Sequence, residues 1–160
     1  MSEVLPVDKS QYTDRKPNYF LSLFNLRCSR CRRGPMFKNK IKLSVTKNMA
    51  MHPQCPLCGQ YYELEVGFYY GTGYVSYALT IAMTVASFIA YYVLVGISIN
   101  DNSLFIWLGA NIAILILSMP YLMRFSRTIW LSFFVKYDKD WKTKEAPKPE
   151  RIVEEQMGNW

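Results

Sequence analysis

Tyr74–Ile97 reads YVSYALTIAMTVASFIAYYVLVGI, 24 residues without a charge, and Ser103–Met123 reads SLFIWLGANIAILILSMPYLM, 21 more. As α-helices these runs would be roughly 36 Å and 31 Å long. The hydrocarbon core of a bilayer is about 30 Å thick, so each can span it, the first with some tilt. A pair of buried helices in a soluble all-α domain is the competing reading, and uncharged runs beyond about 18 residues weigh against it. Asn100–Ser103 leaves room only for a tight turn. The expected fold is therefore a membrane protein built on a two-helix antiparallel transmembrane hairpin, residues 73–123, with both chain ends on one side.

The flanks fix the expected orientation. Residues 1–72 carry eleven Lys/Arg against five Asp/Glu, residues 124–160 carry eight against six, and the turn carries one Asp and nothing positive. By the positive-inside rule both termini are cytoplasmic. The net charge of +7 is then mostly topology, and nucleic-acid binding is disfavoured as its explanation. Residues 1–17 read as a loose polar tail with no apolar leader region, so the cysteines are expected to face a reducing compartment. A mean hydropathy of −0.02 averages over these two unlike materials.

Between the helices, Gly73, Ser76, Thr80, Ser87 and Ala90 fall near one face of the first, and Gly109 and Ala113 form a small-xxx-small pair in the second. Small residues permit close helix approach in lipid. Asn111 is the one amide at mid-membrane, with Ser87 or Tyr91 at the right depth for an interhelical hydrogen bond worth about 0.6 kcal/mol; a substrate or ion path is the sharper alternative. No charge lies in either run, which argues against a proton relay. Pro120 is expected to kink or end the second helix. Phe68, Tyr69, Tyr70, Tyr74 and Tyr77 suit the headgroup level at one boundary, as do Tyr121 and Trp130. Beyond Met123, residues 124–140 (RFSRTIWLSFFVKYDKD) read as an interfacial amphipathic segment, with Arg124 and Arg127 marking the exit from the membrane. Residues 141–160 read as a charged, mobile tail, with a helical turn or two near 150–157.

On the amino-terminal side, residues 18–72 hold every cysteine, as CSRC (28–31) and CPLCG (55–59). Two C-x2-C pairs 23 residues apart are close to the zinc-ribbon pattern. Each tight turn aims two sulfurs inward, and two such turns supply four tetrahedral ligands. Cys28, Cys31, Cys55 and Cys58 are the candidate metal ligands, for one structural zinc ion in a small, short-stranded zinc-ribbon-like cytoplasmic domain. Gly59 and Gly34 are expected to take positive φ beneath the metal, and residues 62–68 alternate as a half-buried strand. Arg27, Arg30, Arg32 and Arg33 offset the −2 charge of a thiolate-bound zinc or simply obey the positive-inside rule. Iron in place of zinc, or redox dithiols, are the alternatives at these cysteines. His52 is a second-shell or solvated residue on this reading, and a substitute ligand on the sharper one. Tyr19–Leu26 is a short amphipathic helix, against the ribbon or in the headgroups. No nucleophile–base set is apparent, so no catalytic residue is assigned.

The order RCSRCRRGPMF, CPLCGQYYELE, GFYYGTGYVSYALT, then RFSRTIW and KYD, resembles the bacterial "domain of unknown function 983" family over roughly residues 20–140. Ser29 stands where family members often have Pro, and Arg32 where Gly is common. The resemblance implies a small inner-membrane protein with a cytoplasmic ribbon, and some relatives are similar to proteins associated with cytochrome oxidase assembly. The functional expectation is a non-enzymatic adaptor or assembly factor for a membrane complex such as a respiratory one. Its partners would be the lipid bilayer and a membrane protein. The alternative is a metal- or thiol-exchange factor using the two C-x-x-C pairs.

Overall fold

The computed structural model describes residues 15–42, 44–96 and 102–149. The turn between the apolar runs, most of the expected amino-terminal tail and the segment near 150–157 lie outside these residues. The element order is α1 (Tyr19–Phe24), α2 (Val45–Asn48), a 3-10 turn (Phe68–Gly71), α3 (Thr72–Leu94) and α4 (Ser103–Phe134).

Helices α3 and α4 pack antiparallel, as Ser87 meeting Asn111 near one end and Tyr69 meeting Arg127 near the other require. Both are long and apolar enough to cross a membrane. Their exposure separates them from core helices of a soluble fold. No residue of α3 is buried, and Leu94 and Leu117 are 82% and 77% exposed. Hydroxyls along the pair turn back onto their own helix, Thr84 to the Thr80 carbonyl (2.9 Å) and Ser118 to that of Leu115 (3.1 Å). This is how a polar side chain is satisfied where water is absent. Ser87 Oγ donates to Asn111 Oδ1 at 2.9 Å, the expected interhelical bond. At two positions of the small-residue seam the helices do not close on each other, since a Cβ on Gly73 or Gly109 would meet nothing within 4 Å.

Helix α4 departs most from expectation. It neither ends nor separates at Pro120 but runs 32 residues, roughly 48 Å, so residues 124–134 extend the apolar helix instead of forming their own interfacial segment. Beside it, Asn48 Nδ2 donates to the Pro120 carbonyl at 2.7 Å and ties this turn of the helix to the head. Past Met123 the helix enters the cysteine-bearing head, where Arg124, Phe125, Ser126, Thr128 and Leu131 are buried. Helix α1 lies along the same stretch. Phe24 stacks on Phe125 with centroids 5.0 Å apart, and Tyr121 Oη donates to the Phe24 carbonyl at 2.8 Å.

Among the described residues the head contains no strand; its backbone pairs through isolated bridges such as Arg27–Pro35, Phe37–Met51 and Gln54–Tyr61. The alternation at 62–68 is a turn instead. Tyr62 is buried and donates to the Pro35 carbonyl (3.0 Å), and its own carbonyl accepts from Tyr69 Oη at 2.6 Å. Gly67 then takes φ 78° and starts the 3-10 turn. The alternation is not carried through into burial, since Val66 is exposed, and among the described residues no neighbouring strand completes a ladder. The GFYYG entry divides. Phe68 and Tyr69 are buried in the head, whereas Tyr70, Tyr74 and Tyr77 are exposed as a headgroup-level aromatic set would be.

Candidate metal centre

Each cysteine pair sits on a turn of one design. The Cys28 carbonyl accepts from Arg32 N (2.7 Å), and the Cys55 carbonyl accepts from Gly59 N (2.9 Å), four residues on in both cases. At that fourth position φ is positive, 57° at Arg32 and 71° at Gly59. The second turn thus uses glycine where the backbone asks for it. The first places an arginine there and holds it by stacking between Tyr19 and Tyr137, 5.1 and 4.8 Å from the ring centroids. Gly34 is required for a different reason from the one expected. Its φ is ordinary, but a Cβ would overlap Cys55 Sγ, so the backbone crosses directly over the sulfurs. Gly34 N also points at Cys31 Sγ, 3.4 Å away.

The two turns bring all four predicted ligands together. The sulfurs of Cys28, Cys31, Cys55 and Cys58 lie within 4.8 Å of one another, all four residues buried. Cys28 Sγ is 3.8 Å from Cys58 Sγ, and Cys31 Sγ is 3.7 Å from Cys55 Sγ. A tetrahedron of sulfurs about 2.3 Å from a central ion has edges of roughly 3.8 Å. Disulfides would need sulfurs about 2.05 Å apart. The donor set therefore fits a four-coordinate metal ion and leaves no open position.

Protonation supports the same conclusion. Hydrogen bonds from Cys28, and then Cys31 and Cys58, pull the Cys55 thiol well below its ordinary range, while contact with Cys31 and the other sulfurs, with burial, pushes Cys28 far up. Crowded thiols thus oppose one another's ionisation, and a bound cation would permit four thiolates at once. His52 is not in the sulfur cluster. Burial, and then Lys38, hold its imidazole below the usual value, and it lines a neighbouring cavity.

Around the sulfurs lie Met36, Leu57, Tyr62, Tyr69, Leu131 and Trp141. Trp141 corrects the expected tail, being 2% exposed within this core. It is held there by Arg30, the middle of the first cysteine turn. Arg30 donates to the Cys58 carbonyl (3.1 Å), Asp138 Oδ2 (3.1 Å) and the carbonyls of Lys144 (2.9 Å) and Glu145 (3.1 Å), and the Arg30 carbonyl accepts from Asp138 N. One side chain ties both cysteine turns to the carboxy-terminal segment.

Arg124 does the same between helix and head. Only 2% exposed, it donates from Nε to the Asn48 carbonyl (2.8 Å) and from its terminal nitrogens to those of Asn39 (2.9 Å) and Lys40 (3.1 Å). Its guanidinium also lies 4.7 Å from the Phe37 centroid. Charge counting had made it a membrane-exit marker; in the fold it is the anchor of the 38–48 loop. Trp130 is a second such anchor. Its indole donates to the Phe68 carbonyl at 2.7 Å and fills the space a Cβ at Gly71 would need. Sequence reasoning missed these attachments because they join distant segments, although the sequence conservatively offered one cue, an arginine directly after the apolar run.

Comparison with protein-family models, with curated proteins and with solved structures finds no match to this chain.

Proposed function

We propose that this chain is an integral protein of the bacterial inner membrane, related to the "domain of unknown function 983" family. In this reading a zinc-ribbon-type head, organised by one structural zinc on Cys28, Cys31, Cys55 and Cys58, faces the cytoplasm. It acts as a non-enzymatic adaptor or assembly factor for a membrane complex, respiratory complexes being the first to test. The observation that carries the reading is the closed four-sulfur site rigidly attached, through Arg124, Arg30 and Trp130, to an apolar helix pair. A closed sulfur site contributes folding energy and holds a surface in shape. The basic flanks supply the orientation.

The test is crosslinking in cells followed by recovery in mild detergent, for the native chain and Cys58→Ser. The adaptor reading expects one zinc per native chain and a membrane-protein partner that is lost with the cysteine. Cysteines that cycle through disulfides in cells, trapped by alkylation, would transfer the assignment to metal or thiol exchange.

A further inference from the structure

A cavity of about 430 Å³ opens beside the head, walled by Lys38, Met51, His52, Glu63, Tyr69 and Arg127. Arg127 is its unusual member. Arg27, Arg30, Arg32, Arg33 and Arg124 each donate to a backbone carbonyl. Among the described residues Arg127 donates to no oxygen: its Nη1 reaches the Met51 thioether at 3.4 Å, and its guanidinium lies 4.9 Å from the Tyr69 centroid. A thioether is a weak acceptor, so most of a guanidinium's donor capacity is left for something else. Glu63 is the acidic wall residue and its charge acts on Arg127; Lys38 adds a second cation. Arg127 lies four residues past Met123, about 6 Å along the helix and at headgroup depth if the apolar run fills the bilayer.

A second space lies directly above. An apolar groove of about 320 Å³ runs between the helices, walled by Ser76 and Thr80 of α3 and by Ile116, Met119 and Met123 of α4. These positions continue, at three- and four-residue steps, the faces that carry Tyr69 and Arg127. The intervening Gly73 leaves open space, since a Cβ there would meet nothing within 4 Å. Cationic cavity and apolar groove therefore line up along one side of the hairpin.

We propose that this aligned pair is a binding site for one anionic phospholipid, its phosphate held by Arg127 and Lys38 and an acyl chain lying in the groove. The inference rests on the membrane reading above. Charge complementarity selects the occupant: a phosphate supplies the oxygen acceptors Arg127 lacks, and only a lipid joins a phosphate to an apolar chain at this depth.

The experiment uses the full chain, delipidated in mild detergent. Native mass spectrometry then reads its retention of added phosphatidylglycerol, phosphatidylcholine or inorganic phosphate. Phosphatidylglycerol should be retained about tenfold better than phosphatidylcholine. That preference should vanish in Arg127→Gln/Lys38→Gln. Thr80→Leu, which fills the groove without touching the charges, should lower retention of both lipids. Metal content reports whether each variant keeps its head. If the double variant loses metal, Lys38→Gln and Thr80→Leu carry the test. Equal retention of the two lipids by the native chain, an unchanged preference in the variants, or binding of free phosphate as strong as that of the lipid would each overturn the site. Alkaline carbonate extraction separates the two levels of inference. A chain that leaves the membrane pellet defeats the membrane reading, whereas a chain that stays but shows no preference defeats only the lipid site.

Discussion

The two halves of α4 share one continuous backbone and live in different surroundings. From Ser103 to Met123 a single residue, Asn111, is buried, and large apolar side chains such as Phe105 and Leu117 face outward. From Arg124 to Phe134 the pattern inverts. An arginine, a serine and a threonine are buried, and the helix is wrapped by α1, the 38–48 loop and the cysteine head. The first half keeps its large apolar side chains outside, as a helix long and apolar enough to cross a membrane would. In the second they are sorted by a small water-facing core, which hides whatever it can hydrogen-bond. One helix thus carries both patterns without a break, its buried polar groups finding partners where the head begins.

The contrast is most severely tested at the four-sulfur site. Chelation at neutral pH, or Cys58→Ser, should unfold the head, because structural zinc sites carry apparent binding energies of roughly 10–16 kcal/mol. Limited proteolysis should then cut within residues 27–66 while α3 and the first half of α4 stay protected in detergent. Protection of both parts would show that the sulfur site does not organise the head.

Arg124→Met attacks the crossing point itself. It strands three carbonyls that the guanidinium satisfies, and the expected loss is about 3 kcal/mol or more, read as easier metal release to a chelator. Gly71→Ala should cost about 1–3 kcal/mol, since its Cβ would strike the Trp130 ring. Gly73→Ala, two residues on and facing open space, should be neutral or mildly stabilising, which makes the pair a ruler for where the head ends. Equal effects of the two would refute the boundary.

Smaller effects are expected at the two remaining contacts. The Asp140 N–H, and then Arg30, hold the Asp138 carboxyl below the ordinary carboxylate range. The folded form therefore binds its proton less readily than the unfolded one. Its contribution is complete above about pH 4 and is lost as pH falls through the depressed value. Asp138→Asn at pH 7 should cost about 1 kcal/mol and loosen Trp141, visible as a shift in indole fluorescence. Asn111→Leu, in the apolar half, should cost only about 0.6 kcal/mol in a helix-association assay, because the partner Ser87 can return to its own backbone.

Legibility in the sequence followed the range of the interactions. The helix pair was readable because an uncharged run of adequate length is a local property, and the bilayer asks for little else. The Ser87–Asn111 bond was readable too, since hairpin register follows from the lengths of the two runs. Cys28, Cys31, Cys55 and Cys58 announced themselves because each pair lies on a single turn, so ligand geometry is encoded within four residues. The strand over 62–68 was misread: alternation is a local pattern, whereas a strand needs a partner, and here Tyr62 and Phe68 are buried in the head while Val66 is exposed. Of the two outcomes expected at Pro120, a kink or an end, the end does not occur, because α4 continues to Phe134 and its later turns are packed into the head.

By itself, then, the sequence determined two apolar helices, their antiparallel pairing and four thiols poised in two turns, all consequences of short-range pattern against a known solvent. Tertiary structure alone decided that α4 is one continuous helix with an exposed half and a packed half, that Arg124 and Arg30 are buried ties and that Trp141 belongs to the core. Each of these depends on carbonyls and rings brought from segments up to about a hundred residues away, and no local pattern records which distant group will satisfy a buried charge.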